Sequence, residues 1–108
     1  MGGPMYKKFK KFVGPKQPVN IEQVLKALAN GRRLFILNLL KDKKRLSVGE
    51  ISKKIKLSLK STSKHLVILS AAGLLEKEQK SVQVYYSVSS ELNFSVRTIL
   101  NIILQDYM

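Results

Sequence analysis

Along this chain the spacing of apolar residues changes period twice, and the two changes fix the order in which helices and strands can follow one another. From Ile21 to Ala72 the apolar side chains recur at intervals of three and four, the signature of one helix face. Val82, Val84, Tyr86 and Val88 then alternate with Gln83, Tyr85 and Ser87, which a helix cannot present on one face and a strand can. Beyond Glu91 the helical interval returns. The chain must therefore place a hairpin between a helical cluster and a last helix.

Local signals divide the helical stretch. Asn20-Ile-Glu-Gln23 sets a capping residue three before a glutamine, and Ile21, Val24, Leu25 and Leu28 follow as one stripe, predicting a helix over 21–29 that stops at Asn30-Gly31. Residues 32–41 carry Leu34, Ile36, Leu37, Leu39 and Leu40, a helix buried on more than one side, and Asp42 to Arg45 end it as a charged loop. Ser47-Val-Gly-Glu50 is a second capping box and opens a short helix with Val48, Ile51 and Ile55 inward. Ser58 caps a further amphipathic helix reaching Ala72, where Gly73 stops it. Leu74 to Lys77 forms a first strand, Glu78 to Ser81 a turn, and 82–88 a second strand with one face buried.

In the last helix Leu92, Val96, Ile99, Leu100, Ile103 and Tyr107 share one side, with Phe94, Ile102 and Leu104 beyond it. That apolar arc is wider than one side of a monomer needs, so part of it is expected to bury against a second copy. The alternative is a central core helix in a monomer.

Charge is distributed just as unevenly. The 108 residues carry a formal +13, of which Lys7, Lys8, Lys10, Lys11 and Lys16 lie in residues 1–18. Nine basic residues against Asp42 and Glu50 fall between 41 and 64, whereas the chain from 65 onward is slightly acidic. Polarised basic charge of this kind is what a polyanion-binding face requires, although a solvated lysine-rich surface has the same composition. Residues 1–18, with Tyr6, Phe9 and Phe12 among the lysines, read as a mobile basic arm, its first residues also fitting a cloning remnant. Residues 19–108 read as one DNA-binding and dimerisation domain.

Two short helices joined by a tight turn, the second followed by a hairpin, describe a mainly α fold with a small β-hairpin (α+β). The expectation is a winged helix-turn-helix of five helices and a two-stranded wing, assembled as a helical dimer. A major groove admits one α-helix, and the preceding helix braces it across the backbone. Counting 100° per residue from Leu59 places Leu59, Thr62, Leu66 and Leu69 inward and Lys60 and Lys64 outward, with Ser61, Ser63 and Val67 at the edges. Lys60 and Lys64 repel one another at i,i+4, a repulsion that phosphates or guanine edges relieve. Ser58 caps the helix and can offer its N–H and hydroxyl to a phosphate. His65, at the boundary of the buried face, fits a structural hydrogen bond better than a base contact. Arg32 and Arg33 fit either a phosphate contact or a brace. Gln79, Lys80 and Ser81 form the wing tip, with Lys77 beside them.

The ordered series Leu25-Lys-Ala-Leu-Ala-Asn-Gly-Arg-Arg-Leu-Phe-Ile-Leu37, Leu46-Ser-Val-Gly-Glu-Ile51, Leu57-Ser-Leu-Lys-Ser-Thr-Ser-Lys-His-Leu-Val-Ile-Leu69, Ala72-Gly-Leu-Leu75 and Val84-Tyr-Tyr86 resembles the ArsR/SmtB-type winged-helix repressors over residues 21–104. The resemblance implies a dimer built through the first helix, at Ile21, Val24 and Leu25, and the last, and transcriptional repression at a pseudo-palindromic operator in double-stranded DNA. The chain departs from the family pattern in four respects. Ser47 and Gly49 stand in the stretch where metal-sensing members often have cysteines, and the last helix offers Asp106 but no histidine, so no metal is expected. Asn30-Gly31 replaces the usual Asp-Pro, and Leu59 replaces a polar residue at the start of the recognition helix.

Other classes fit poorly. The chain has no cysteine, one histidine and seven scattered acids, which excludes disulfide frameworks and the paired groups of acid–base or metal chemistry. Neither an enzyme nor a cofactor is expected. No 18-residue apolar stretch and no secretory h-region is present, so a cytoplasmic, nucleoid-associated protein without membrane contact is the expectation. Two further readings stay open: a sequence-tolerant architectural DNA-binding protein, and a winged helix used for protein interaction. The residues nominate no effector.

Overall fold

The computed structural model describes residues 19–107, so the basic arm expected over 1–18 lies outside the described residues. Five helices and a small sheet follow in the order α1 (Ile21–Leu28), α2 (Gly31–Lys43), β1 (Leu46–Ser47), α3 (Val48–Ile55), α4 (Leu59–Ala71), β2 (Leu75–Lys80), β3 (Gln83–Val88) and α5 (Phe94–Gln105).

Polar caps set the helix starts. Asn30 Oδ1 accepts from Arg32 N at 3.0 Å and Arg33 N at 3.1 Å, which begins α2 at Gly31 without the family's proline. Before α3 the capping box is complete: Ser47 Oγ accepts from Glu50 N at 3.2 Å and Glu50 Oε1 accepts from Ser47 N at 2.8 Å. That backbone hydrogen bond, with the Ser47 side chain and Lys54 and Lys53 adding to it, holds the Glu50 carboxyl below its usual range despite some burial. Asn20 caps α1 through Gln23 N at 3.0 Å, but the reciprocal half of that box is not made. The Gln23 side chain instead donates to Ala71 O at 3.2 Å, tying α1 to the end of α4.

Between α3 and α4 the turn depends on Lys56, which takes a left-handed conformation (φ 59°, ψ 48°) and ends α3 with its N–H on Ser52 O. Gly73 (φ 80°) ends α4 as the sequence predicts. Charged residues 41–43 do not break α2. The helix runs through Lys43 and stops where Lys44 turns to φ 71°.

The sheet has three strands in the order β1-β3-β2, all antiparallel. The sequence reading anticipates the hairpin but not β1, which is two residues long and pairs Leu46 with Tyr86 and Ser47 with Tyr85. The hairpin turn also comes later than the predicted Glu78–Ser81: β2 continues to Lys80, opposite Gln83, and Ser81 takes φ 59° at the tip. Val82, expected on the buried face, is consequently 89% exposed. Only Tyr86 of that alternating series is fully buried, Val84 and Val88 being half-buried.

The core gathers Ile36, Leu37 and Leu40 of α2, Ile51 of α3, Leu66 and Leu69 of α4, and Leu74, all buried. Val24, Ala27 and Leu28 close it from α1, and Val96, Leu100 and Leu104 from α5. Thr62 lies in this core at 0% exposure, and its hydroxyl has no hydrogen-bond partner among the described residues.

Candidate nucleic-acid interface

The N-terminal end of α4 is built by its cap. Ser58 Oγ accepts from Ser61 N at 3.1 Å, and the turn at Lys56 holds α3 against α4. Thr62, Leu66 and Leu69 anchor the inner face, so helical geometry leaves Lys60, Ser63, Lys64 and Val67 exposed and Ser61 half-buried. Lys53, Lys54 and Lys56 of the preceding helix and turn are also exposed and add cations that the sequence reading did not assign to the interface.

One expectation for α4 is corrected. Leu59 does not face inward with Thr62 and Leu66; it is 59% exposed. It lies about 60° round the helix from Thr62 and is the first helical residue, so a helical projection places it near the core while the end of the helix leaves it uncovered. Val67, about 80° further round the helix, is 62% exposed.

Arg33 decides between the two roles the sequence left open for it. Its Nε donates to Ala27 O at 2.7 Å and its terminal nitrogens lie 3.3 Å from Lys26 O and 3.3 Å from His65 Nδ1. One guanidinium thus joins the end of α1 and the outer edge of α4 to α2. Because an arginine can only donate, His65 Nδ1 accepts, which places the imidazole proton on Nε2. Burial, and then the charges of Arg33 and Arg32, depress the His65 pKa below its ordinary value, so the ring is neutral at pH 7. Arg32 itself is exposed.

The wing is fastened at its base. Arg45 pairs with Glu78 at 3.0 Å and its guanidinium sits 4.8 Å from the centre of the Tyr85 ring. Glu76 accepts from Ser90 N at 2.7 Å and Ser90 Oγ at 2.7 Å, contacts that lower its pKa and tie β2 to the segment entering α5. Lys77, Gln79, Lys80 and Ser81 remain exposed along β2 and its tip.

The residues expected at a subunit contact divide into three groups. Val24, Val96 and Leu100 are 2%, 2% and 4% exposed and belong to the protomer's own core. Leu92, Ile99 and Ile103 are half-buried against that core, and Tyr107 stacks on Phe35 at 6.3 Å with its hydroxyl 3.4 Å from Gly31 O. The apolar side chains left open are Ile21 (45%) and Leu25 (49%) on α1 and Phe94 (77%) and Ile102 (59%) on α5. The apolar arc holds an inward half and an outward half that spacing alone does not separate.

Among the described residues no group of three or more His, Cys, Asp or Glu side chains is placed to hold a metal ion, and no helix is long and apolar enough to cross a membrane.

Comparison with known proteins agrees with this architecture. Residues 30–77 match the family model for bacterial regulatory proteins of the arsR family. The chain is 31% identical over 80 residues to the HTH-type transcriptional regulator YgaV of Escherichia coli K12, covering 73% of this chain and 81% of that one. It is 45% identical over 67 residues to the transcriptional activator HlyU of Vibrio cholerae, a match covering 62% of this chain and 61%, under two thirds, of HlyU. Among solved structures, the homodimeric winged helix-turn-helix DNA-binding domain (fragment 1–100) of a Mycobacterium bovis protein superposes with a TM-score of 0.68 at 32% identity, covering 77% of this chain and 73% of that one.

Proposed function

The chain belongs to the ArsR family of bacterial regulatory proteins, and from that premise we propose that it is a homodimeric, sequence-specific regulator of transcription that acts by binding double-stranded DNA. The observation that carries the reading is the pair Lys60 and Lys64, both exposed on the outer face of a capped helix whose inner face is locked into the core. A like-charge pair at i,i+4 brings nothing to the isolated fold, and it gains its partners when the helix enters a major groove.

In this reading Ser58, Lys60, Ser61, Ser63 and Lys64 supply groove and backbone contacts. The wing residues Lys77, Gln79, Lys80 and Ser81 reach the adjacent minor groove or its phosphates. His65 contributes through Arg33 by holding α4 in place. Two protomers pair through the open apolar side chains of α1 and α5, and their recognition helices enter successive major grooves about 34 Å apart on a pseudo-palindrome. The action we assign is repression by occupying the operator, in the cytoplasm on the nucleoid, with no metal or cofactor.

Selection of bound sequences from a random duplex pool at about 150 mM salt, where exposed non-specific pairs weaken, tests the reading. An enriched inverted repeat supports both symmetry and specificity. An unenriched pool that is nonetheless bound favours the architectural alternative, for which the cations at 53, 54 and 56 would serve equally well. If Lys60→Glu with Lys64→Glu leaves binding unaltered, α4 is not the reading helix. Transcription in vitro from a promoter carrying the selected site then separates repression, in which added protein lowers transcript, from activation.

A further inference from the structure

We infer that Leu59 and Val67 are specificity-determining residues that read thymine C5 methyl groups, so that each operator half-site carries thymine at two fixed positions. The inference rests on the DNA-binding reading above and adds to it which base edges the helix selects.

Leu59, Ser63 and Val67 follow one another at i, i+4 and i+8 on α4 and occupy about 80° of arc and about 12 Å of length. Lys60 and Lys64 run along one edge of this strip and the buried Leu66 along the other. Leu59 is 59% and Val67 62% exposed, so neither side chain is spent on the protomer's core. A lone exposed aliphatic residue on a protein surface needs no explanation. These two are different because the lysines that carry α4 into the groove carry them along. The strip between the two aliphatic groups is continuous with Ser63, which can donate to or accept from either kind of base edge.

The chemistry of the groove then selects the partner. Base edges in the major groove present hydrogen-bond donors and acceptors and one apolar group, the thymine methyl. A leucine or valine placed over any other edge strips water from polar atoms and returns nothing to them. Over a methyl it removes two apolar surfaces from water at once. Leu59, at the first helical position, meets the base nearest the end of the helix, and Val67, two turns on, meets one further along the groove.

Deleting a methyl from such a contact is expected to cost about fourfold in affinity. The operator duplex recovered by selection is remade with deoxyuridine in place of thymidine, one position at a time, which removes the C5 methyl and leaves base pairing intact. The unsubstituted protein is expected to lose about fourfold at two positions in each half-site. Leu59→Ala should abolish the discrimination at one of them and Val67→Ala at the other. Both variants should retain the salt dependence of binding and the urea midpoint, since both side chains are exposed. Lys60→Ala, in contrast, should lower the salt slope and keep the thymine–uracil discrimination.

Equal affinity for thymidine and deoxyuridine duplexes at every position, or discrimination that survives both alanine substitutions, overturns the inference and leaves the sequence-specific regulator standing. A pool with no enriched sequence overturns the regulator and the inference with it.

Discussion

Replacing Arg33 by alanine separates a structural brace from a DNA contact in one protein. Its guanidinium donates a short hydrogen bond of 2.7 Å to Ala27 O and reaches Lys26 O and His65 Nδ1 at 3.3 Å each. A hydrogen bond from a charged donor contributes about 1.5 kcal/mol at the low end of its range, and the two longer contacts about 0.5 kcal/mol each, so Arg33→Ala is expected to cost about 2.5 kcal/mol. With a urea dependence of about 1.5 kcal/mol per M, the unfolding midpoint should fall by about 1.7 M with an unchanged slope, measured at fixed protein concentration because the proposed dimer would link the midpoint to concentration. Arg33→Lys keeps the charge but not the planar fork, and should recover about 1 kcal/mol of that loss. A midpoint shift under about 0.3 M, or full recovery by lysine, refutes the brace. A DNA-binding readout completes the argument. Loss of a phosphate contact lowers the slope of log affinity against log salt by about 0.9, whereas loss of a brace leaves it unchanged.

The remaining predictions use different observables. The His65 pKa is depressed, so the unfolded chain binds that proton more tightly, and stability is expected to fall as pH drops from the ordinary 6.5 through the depressed value. His65→Gln, which retains an acceptor for Arg33, should flatten the dependence of the urea midpoint between pH 7 and about pH 5, a window above the ordinary carboxylate value of 4.5 from which Glu50 and Glu76 are lowered. Thr62→Val replaces a buried hydroxyl that has no partner with a methyl of the same shape, and should raise stability by about 1 kcal/mol in the same urea assay; destabilisation would show that the hydroxyl is satisfied in solution. Phe94→Asp places an acid at the first residue of α5, where it suits the helix dipole, but removes about 1.5 kcal/mol of apolar burial from each side of a two-fold contact. Sedimentation should show dimer dissociation about a hundredfold easier with helix content retained; an unaltered dimer would move the contact elsewhere.

What could be read in advance was local. Asn30, Ser47 and Ser58 stand where the sequence places caps or a helix start, because a cap is a contact between residues three apart. What escaped depended on distant partners. Gln23 fits the reciprocal half of a capping box, yet its amide donates to Ala71, 48 positions away. β1 is too short to show any period and exists because Tyr85 and Tyr86 are there to pair with. The wing turn falls at Ser81-Val82, which lacks the glycine or asparagine that marks such turns, so the alternating pattern was read one residue into the tip. For the interface, Lys60 and Lys64 were legible from spacing, while the outward position of Leu59 was not, since a helical projection knows nothing of where a helix ends. Whether Arg33 braces or binds was undecidable until Ala27 and His65 were seen beside it.

Ser47 occupies two structures at once, being the last residue of β1 opposite Tyr85 and the cap of α3. The wing and the helix that precedes the reading helix therefore share one joint, and the turn at Lys56 carries it on to α4, with Arg45 held between Glu78 and Tyr85 just ahead of Ser47. Such a joint turns the domain into a gauge of fixed length. The base pairs met by α4 and those met by the wing tip stand at one separation along the duplex, and inserting a base pair between them defeats one contact or the other. A single insertion between Arg45 and Ser47 would recalibrate that gauge from its base, and a change in the length of residues 79–82 would move the tip itself.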